Sequence, residues 1–197
     1  ETGMPCRMVF SRSESMQAST KRHPGSMQAS IGADAGGKVT AMTFHGDFNT
    51  GAYASWGPTV ASRVPVHASG PYLTPNYRAT SRAVHTNGPT SGAFRGFGVP
   101  QAAITQECLY DELAQKCGID GLEFRRINAL RDGDVTPSGQ TLQAVGMVEC
   151  LDALKPYWDE FQTKVAAFNT TSPTLKRGIG IASCWYGCGN TALPNPS

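Results

Sequence analysis

The spacing of apolar positions changes along the chain, from a sheet-like period early to a helical one later. Residues 4–12 predict an extended run, and residues 27–33 and 38–49 predict two strands. Between the latter lies Asp34-Ala35-Gly36-Gly37, a turn signal that makes them a hairpin. In the second arm Val39, Ala41 and Thr43 alternate with Thr40, Met42 and Phe44, the two-residue period of a sheet. Residues 50–76 are rich in Gly, Pro, Ser and Ala. They predict an ordered loop with short helical turns, anchored by Tyr53, Trp56, Tyr72 and Leu73. Residues 77–86 resume strand character.

A glycine-rich loop, residues 87–100, then runs straight into helical periodicity. Pro100 suits a first helical turn, where its missing N–H costs nothing. Ile104, Cys108, Leu109 and Leu113 follow at helical spacing, and Gly118 ends the helix. Asp120 and Glu123 form a capping-box-like pair for a second helix with Leu122, Phe124, Ile127 and Leu130 on its apolar side. Turns follow at 132–134 and 136–139. A third helix is predicted over 147–168, with a bend at Pro156, and a final strand over 176–186. Strand-rich 1–90, loop 87–100, helical 100–169 and a last strand define an α+β chain with a mixed sheet. No internal repeat is visible. The last ten residues do not read as a natural domain end, and Glu1-Thr2-Gly3-Met4-Pro5 does not read as a signal peptide.

Composition narrows the function classes. Charged residues make up only 16% of the chain and hydrophobic ones 40%. Burial against other domains and a Gly-rich fold both account for that. The net charge is +2 with no basic block, so nothing favours nucleic acid. No apolar run reaches the length of a membrane span. The 6 cysteines include no CxxC pair and read best as buried free thiols. Cys184 and Cys188 lack a second ligand pair, so no protein-ligated metal is expected. Asn169-Thr170-Thr171 is a chance sequon in the absence of a secretory signal.

The chemistry concentrates in the loop. Its glycines let backbone amides approach a ligand, the following helix aims its positive end back at them, and Arg95 adds a planar cation. That set suits an anionic group or a metal centre with oxygen ligands. Taken alone, it is equally a tight strand-to-helix turn with a surface arginine.

Ser91-Gly92-Ala93-Phe94-Arg95-Gly96-Phe97-Gly98-Val99-Pro100-Gln101 resembles a motif of the large, molybdenum-binding subunit of the aldehyde oxidase/xanthine dehydrogenase family. The resemblance extends upstream to Lys21-Arg22-His23-Pro24, Asn76 and Thr86-Asn87. Downstream it takes in Glu107, Asp111-Glu112-Leu113-Ala114, Gly118, Phe124-Arg125, Asn128, Gly133-Asp134 and Thr136-Pro137-Ser138-Gly139-Gln140. It ends in Lys176-Arg177-Gly178-Ile179-Gly180-Ile181 and Tyr186-Gly187. The pattern looks closest to the bacterial aldehyde oxidoreductase branch. It departs at Gly121, where the family usually has proline.

The resemblance implies a partial molybdenum-cofactor-binding domain, 1–197, of an enzyme that hydroxylates aldehydes or N-heterocycles with oxygen from water. It implies molybdenum-molybdopterin in the cytosine dinucleotide form, with 2Fe-2S clusters and FAD on other domains or subunits. Arg95 is implied as the catalytic charge stabiliser, with Ala93, Phe94, Arg95 and Gly96 against the cofactor. Phe97, Tyr186 and Trp56 are implied in the substrate pocket. His23 is read as structural, and His45, His67 and His85 receive no role. The family's pterin-contacting glycine-rich motif and its glutamate base do not occur in this sequence. One wall of a site, inactive alone, is therefore expected. The implied partners are the remaining segments of the domain and the iron–sulfur and flavin subunits, in the cytoplasm or, for the parent enzyme, the periplasm. A non-catalytic scaffold and a nucleotide-binding module are the competing readings.

Overall fold

A computed structural model describes residues 3–187. Cys188 and the tail beyond it lie outside the described residues. The first element is a short helix, α1 (Arg12–Ala18), opened by a reciprocal cap. Ser11 Oγ accepts from the Glu14 amide and the Glu14 carboxylate accepts from the Ser11 amide. Two strands follow, β1 (Gly25–Ala33) and β2 (Val39–Gly51). They pair antiparallel around the expected turn, where Asp34 Oδ1 accepts from the amides of Gly36 and Lys38. A helix, α2 (Gly57–His67), crosses over to β3 (Asn76–His85), which pairs parallel to β2. The sheet order is β1-β2-β3.

The parallel pairing positions the site. Gly51 and His85 are register partners, so residues 52–56 and 86–98 leave the same end of the sheet. The C-terminal end of parallel strands is where open α/β sheets place their ligands. Helices α2 and α3 (Val99–Cys117) pack on the sheet through Phe44, Phe48, Ala61, Val64, Ala68 and Ala102. A second cluster joins Val39, Tyr72, Tyr110, Ala114 and Phe124. Tyr72 stacks on Tyr110 at 4.1 Å, and Phe124 meets Tyr110 edge-on at 5.4 Å.

Helix α4 (Gly121–Asn128) and helix α5 (Met147–Thr171) complete the described elements. Asp120 serves both. Its Oδ1 caps α4 by accepting from the amides of Leu122 and Glu123. Its Oδ2 accepts from Trp158 Nε1 and Gln162 Nε2 of α5, each at 2.8 Å.

Beneath the second cluster lies a buried ion pair. Arg125 is fully buried and donates from Nε to Glu107 Oε2 at 2.8 Å and from Nη2 to Asp111 Oδ1 at 2.8 Å. The Tyr72 hydroxyl donates to Glu107 Oε1 at 2.9 Å, and Gln106 donates to the same oxygen. This explains a departure from the expected apolar face of α3. Ile104 and Cys108 are exposed, while Gln106 and Glu107 face inward because Arg125 of α4 pairs with Glu107 and Gln106 donates to the same carboxylate.

Several expectations are corrected. Residues 5–11 form no strand, since no neighbour offers them a ladder, and the self-capped α1 follows instead. Residues 57–67 form a full helix, not short turns, because Val60, Ala61, Val64 and His67 bury one face and Pro58 fits its first turn. Of the expected anchors only Tyr72 is buried; Tyr53, Trp56 and Leu73 are exposed. The strand-rich first part thus contains two helices. Asp120 caps α4 alone, and the Glu123 side chain makes no return bond to it among the described residues. Helix α5 continues past Phe168 and contains Pro156. The final strand over 176–186 is not formed, because no strand among the described residues runs beside it. None of the described cysteines is buried, contrary to the expectation.

Candidate active-site wall

The loop after β3 is stitched to the end of β2 before it turns. Ser91 N–H donates to the Thr50 carbonyl at 3.0 Å, and Ala52 N–H donates to the Gly88 carbonyl at 3.2 Å. Lys21 and Ser91 form a parallel bridge, closed by Lys21 N–H to Thr90 O and Gly92 N–H to Lys21 O. Past this anchor the chain makes a tight turn with Phe97 N–H on Phe94 O at 2.8 Å and Val99 N–H on Gly96 O at 2.9 Å.

Three successive residues there are left-handed: Gly96 at φ 88°, Phe97 at φ 44° and Gly98 at φ 97°. A phenylalanine at positive φ is strained, a condition that clusters at functional sites. At Gly98 a side chain is doubly unsuitable, because a Cβ would also sit 3.0 Å from the Val60 carbonyl oxygen. The turn delivers the chain to α3, whose N-terminus has no side-chain cap and no acidic residue in its first turn. Among the described residues no acceptor takes the amides of Ala93, Phe94, Arg95 or Gly96.

Ala93, Phe94 and Arg95 are exposed, and Gly96 is half-buried. The Arg95 guanidinium has no hydrogen bond or ion pair among the described residues. Phe97 is half-buried and meets Trp56 edge-on, with ring centroids 6.2 Å apart. Tyr186 reaches the same place from the C-terminal segment. Trp56 and Tyr186 are each about half exposed, so these aromatics form one open side, not a closed cavity.

Two residues without an expected role join this set. The Arg63 guanidinium lies 5.8 Å from the Phe97 ring and 4.8 Å from the Tyr186 ring. Its Nη2 donates to the Gly187 carbonyl at 2.9 Å, while its Nε is buried with no partner. His67, one turn along α2, holds its Nδ1 3.0 Å from the Arg63 carbonyl and packs on Trp185 at 5.6 Å and Tyr186 at 6.2 Å. Burial pushes its pKa down from 6.5, with a hydrogen bond to Arg63 opposing and the Arg63 charge assisting. The signal for both was the apolar spacing Val60, Val64, Ala68, masked by Gly and Pro around it. His23 is buried with Nε2 3.4 Å from Thr50 Oγ1, in keeping with a structural role.

The arrangement suits an anionic, oxygen-rich group. Uncommitted amides, the free Arg95 and the Arg63 Nε offer donors, and neither Arg22, Arg63 nor Arg95 is tied to a carboxylate among the described residues. No group of three or more His, Cys, Asp or Glu that could hold a metal ion occurs among them. No helix of the described residues is long and apolar enough to cross a membrane.

Residues 1–129 match the family model of the molybdopterin cofactor-binding domain. The large molybdopterin subunit of nicotinate dehydrogenase from Eubacterium barkeri is 45% identical over 152 residues, 77% of this chain and 36% of that protein. Aldehyde oxidoreductase from Megalodesulfovibrio gigas is 34% identical over 188 residues, 95% of this chain and 20% of its own length. The crystal structure of the aldehyde oxidoreductase from Desulfovibrio desulfuricans superposes with a TM-score of 0.80 at 34% identity, covering 86% of this chain and 19% of that one. The chain thus spans about a third or less of these relatives, and on this sequence and fold evidence it belongs to the molybdenum-binding domain of the aldehyde oxidase/xanthine dehydrogenase family of oxidoreductases.

Proposed function

We propose that this chain forms one wall of the molybdenum site and substrate pocket of a molybdenum hydroxylase that oxidises an aldehyde or an N-heterocycle, and that it has no turnover alone. The observation that carries the reading is the unpaired Arg95 on a strained left-handed turn beside an aromatic cluster. The molybdenum-molybdopterin group, when bound, supplies two-electron oxidation of the substrate carbon with oxygen drawn from water. Ala93, Phe94 and Gly96 present backbone to that group. Arg95 stabilises negative charge that grows on the substrate oxygen in the transition state. Phe97, Tyr186 and Trp56 form the apolar slot, and Arg63 adds a cation to its rim.

A planar ring with partial negative charge fits a slot of this kind as well as an aldehyde does. One relative is named for nicotinate, a pyridine carboxylate, and another for aldehydes. The fuller reading includes the cytosine dinucleotide form of the pterin, with 2Fe-2S clusters and FAD on other domains or subunits, in the cytoplasm. Residues 1–197 are one part of the cofactor domain.

The test is to express the complete protein under cofactor-replete conditions, measure molybdenum by elemental analysis and assay aldehydes and N-heterocycles. Stoichiometric molybdenum with turnover supports the reading. A metal-free, inactive complete protein refutes it and favours a scaffold that has kept the fold without the chemistry.

A further inference from the structure

Arg22 lies between α1 and β1, distant from the glycine-rich loop in sequence and against it in space. Three contacts converge on its guanidinium. Nη2 donates to the Arg95 carbonyl at 2.6 Å. Nη1 reaches the Gln101 side-chain oxygen at 3.5 Å. The guanidinium carbon stands 4.8 Å from the centre of the Phe94 ring. These partners bracket the left-handed run, with Phe94 and Arg95 before it and Gln101 after it.

Gln101 closes the circuit. It is buried in the first turn of α3, and its Nε2 donates back to the His23 carbonyl at 3.4 Å. The backbone beside Arg22 is already fixed by the Lys21–Ser91 bridge. The Arg22 side chain is therefore what reaches forward from a fixed base to the strained turn. Strained backbone persists only where its surroundings over-determine it. A rigid planar fork serves a carbonyl, an amide oxygen and a ring face together, which a lysine ammonium cannot.

We infer that Arg22 is a positioning residue that holds the turn at 94–98 in the conformation presenting Arg95 and Phe97 to the reacting centre. This rests on the molybdenum-hydroxylase reading above. The short hydrogen bond runs to the carbonyl of Arg95 itself, so the larger effect falls on turnover, with a smaller one on substrate affinity through Phe97.

The experiment uses the complete holoenzyme carrying Arg22→Met or Arg22→Lys. It reads molybdenum content, kcat and KM, and deuterium uptake of peptides covering 91–101 and 25–51. For Arg22→Met, uptake rises over 91–101 and stays at the parent level over 25–51. Its kcat per molybdenum falls about tenfold or more, while KM rises by a smaller factor as Phe97 shifts with the turn. Arg22→Lys lies between parent and Met variant in both readouts. Parent-level uptake over 91–101 with parent kcat overturns the inference. So does an equal rise over 25–51, or a kcat that falls only in step with molybdenum content. If the parent protein carries neither molybdenum nor turnover, the functional reading fails while the exchange comparison still decides whether Arg22 holds the turn.

Discussion

Replacing Arg125 by methionine isolates a charge that the fold cannot hydrate. Arg125 is fully buried, and the Glu107 side chain is only 8% exposed. In Arg125→Met, Glu107 loses the Nε and Nη2 contacts at 2.8 Å and 2.7 Å and keeps only Tyr72 and Gln106 as donors. Asp111 also loses its partner, but its side chain is 59% exposed and turns to water. Breaking a buried pair by removing one partner costs about 3–5 kcal/mol. For a chain of this size that lowers Tm by about 6–20 °C. Adding Glu107→Gln removes the stranded charge while keeping an acceptor for Tyr72, and returns at least about 2 kcal/mol. Denaturant unfolding of the chain followed by circular dichroism measures both variants. A loss under about 1 kcal/mol for Arg125→Met, or no recovery with Glu107→Gln, refutes the reasoning. The outcome bears on function, because Glu107 and Asp111 tie the helix that opens at the glycine-rich turn to α4.

In the complete enzyme, Arg95→Ala lowers kcat by about 10²-fold or more at unchanged molybdenum content, the range for one charge-stabilising donor; a parent-level rate by steady-state assay marks Arg95 as structural. Tyr186→Ala shifts the ratio of kcat/KM between small and bulky substrates by about tenfold, since it removes one wall of the slot; an unchanged ratio across a substrate panel removes it from the pocket. Burial pushes His23 and His67 below their ordinary 6.5 in the folded chain. The unfolded chain therefore takes up protons first, and the stability these groups contribute is whole above pH 6.5 and declines as pH falls below it. Denaturation midpoints between pH 7.5 and 5.5 should fall less steeply in a His23→Gln/His67→Gln variant than in the parent, and equal slopes would contradict the assignment.

The hairpin, β3, both ends of α3 and the start of α4 were legible because local chemistry fixes them, whereas α4 stops at Asn128, short of the Leu130 expected on its apolar side. Asp34 turns the hairpin, Pro100 and Gly118 bound α3, and Asp120 caps α4. Helix α2 was not legible, since Gly57, Pro58 and Pro65 disguise a buried face that only the sheet beneath rewards. Strand formation at 176–186 depends on a partner strand, and that is not encoded in its own residues. Arg63 was missed for a related reason. An isolated arginine carries no motif, and it becomes a site feature only when the crossover helix sets it between rings from two distant segments. The loop itself was legible as a unit, while the left-handed φ values at 96–98 arise only once the folded chain fixes it at Ser91 and sets Arg22 against it.

Asp120 carries a further consequence. One oxygen starts a helix and the other moors the longest helix, so the two tasks share a single carboxylate. Asparagine keeps the cap through its amide oxygen but turns an NH₂ toward the indole and glutamine donors; serine caps but is too short to moor. Either substitution therefore leaves the start of α4 in place and loosens only the seat of α5, so the grip on the long helix can be changed at this one position without unwinding the short one.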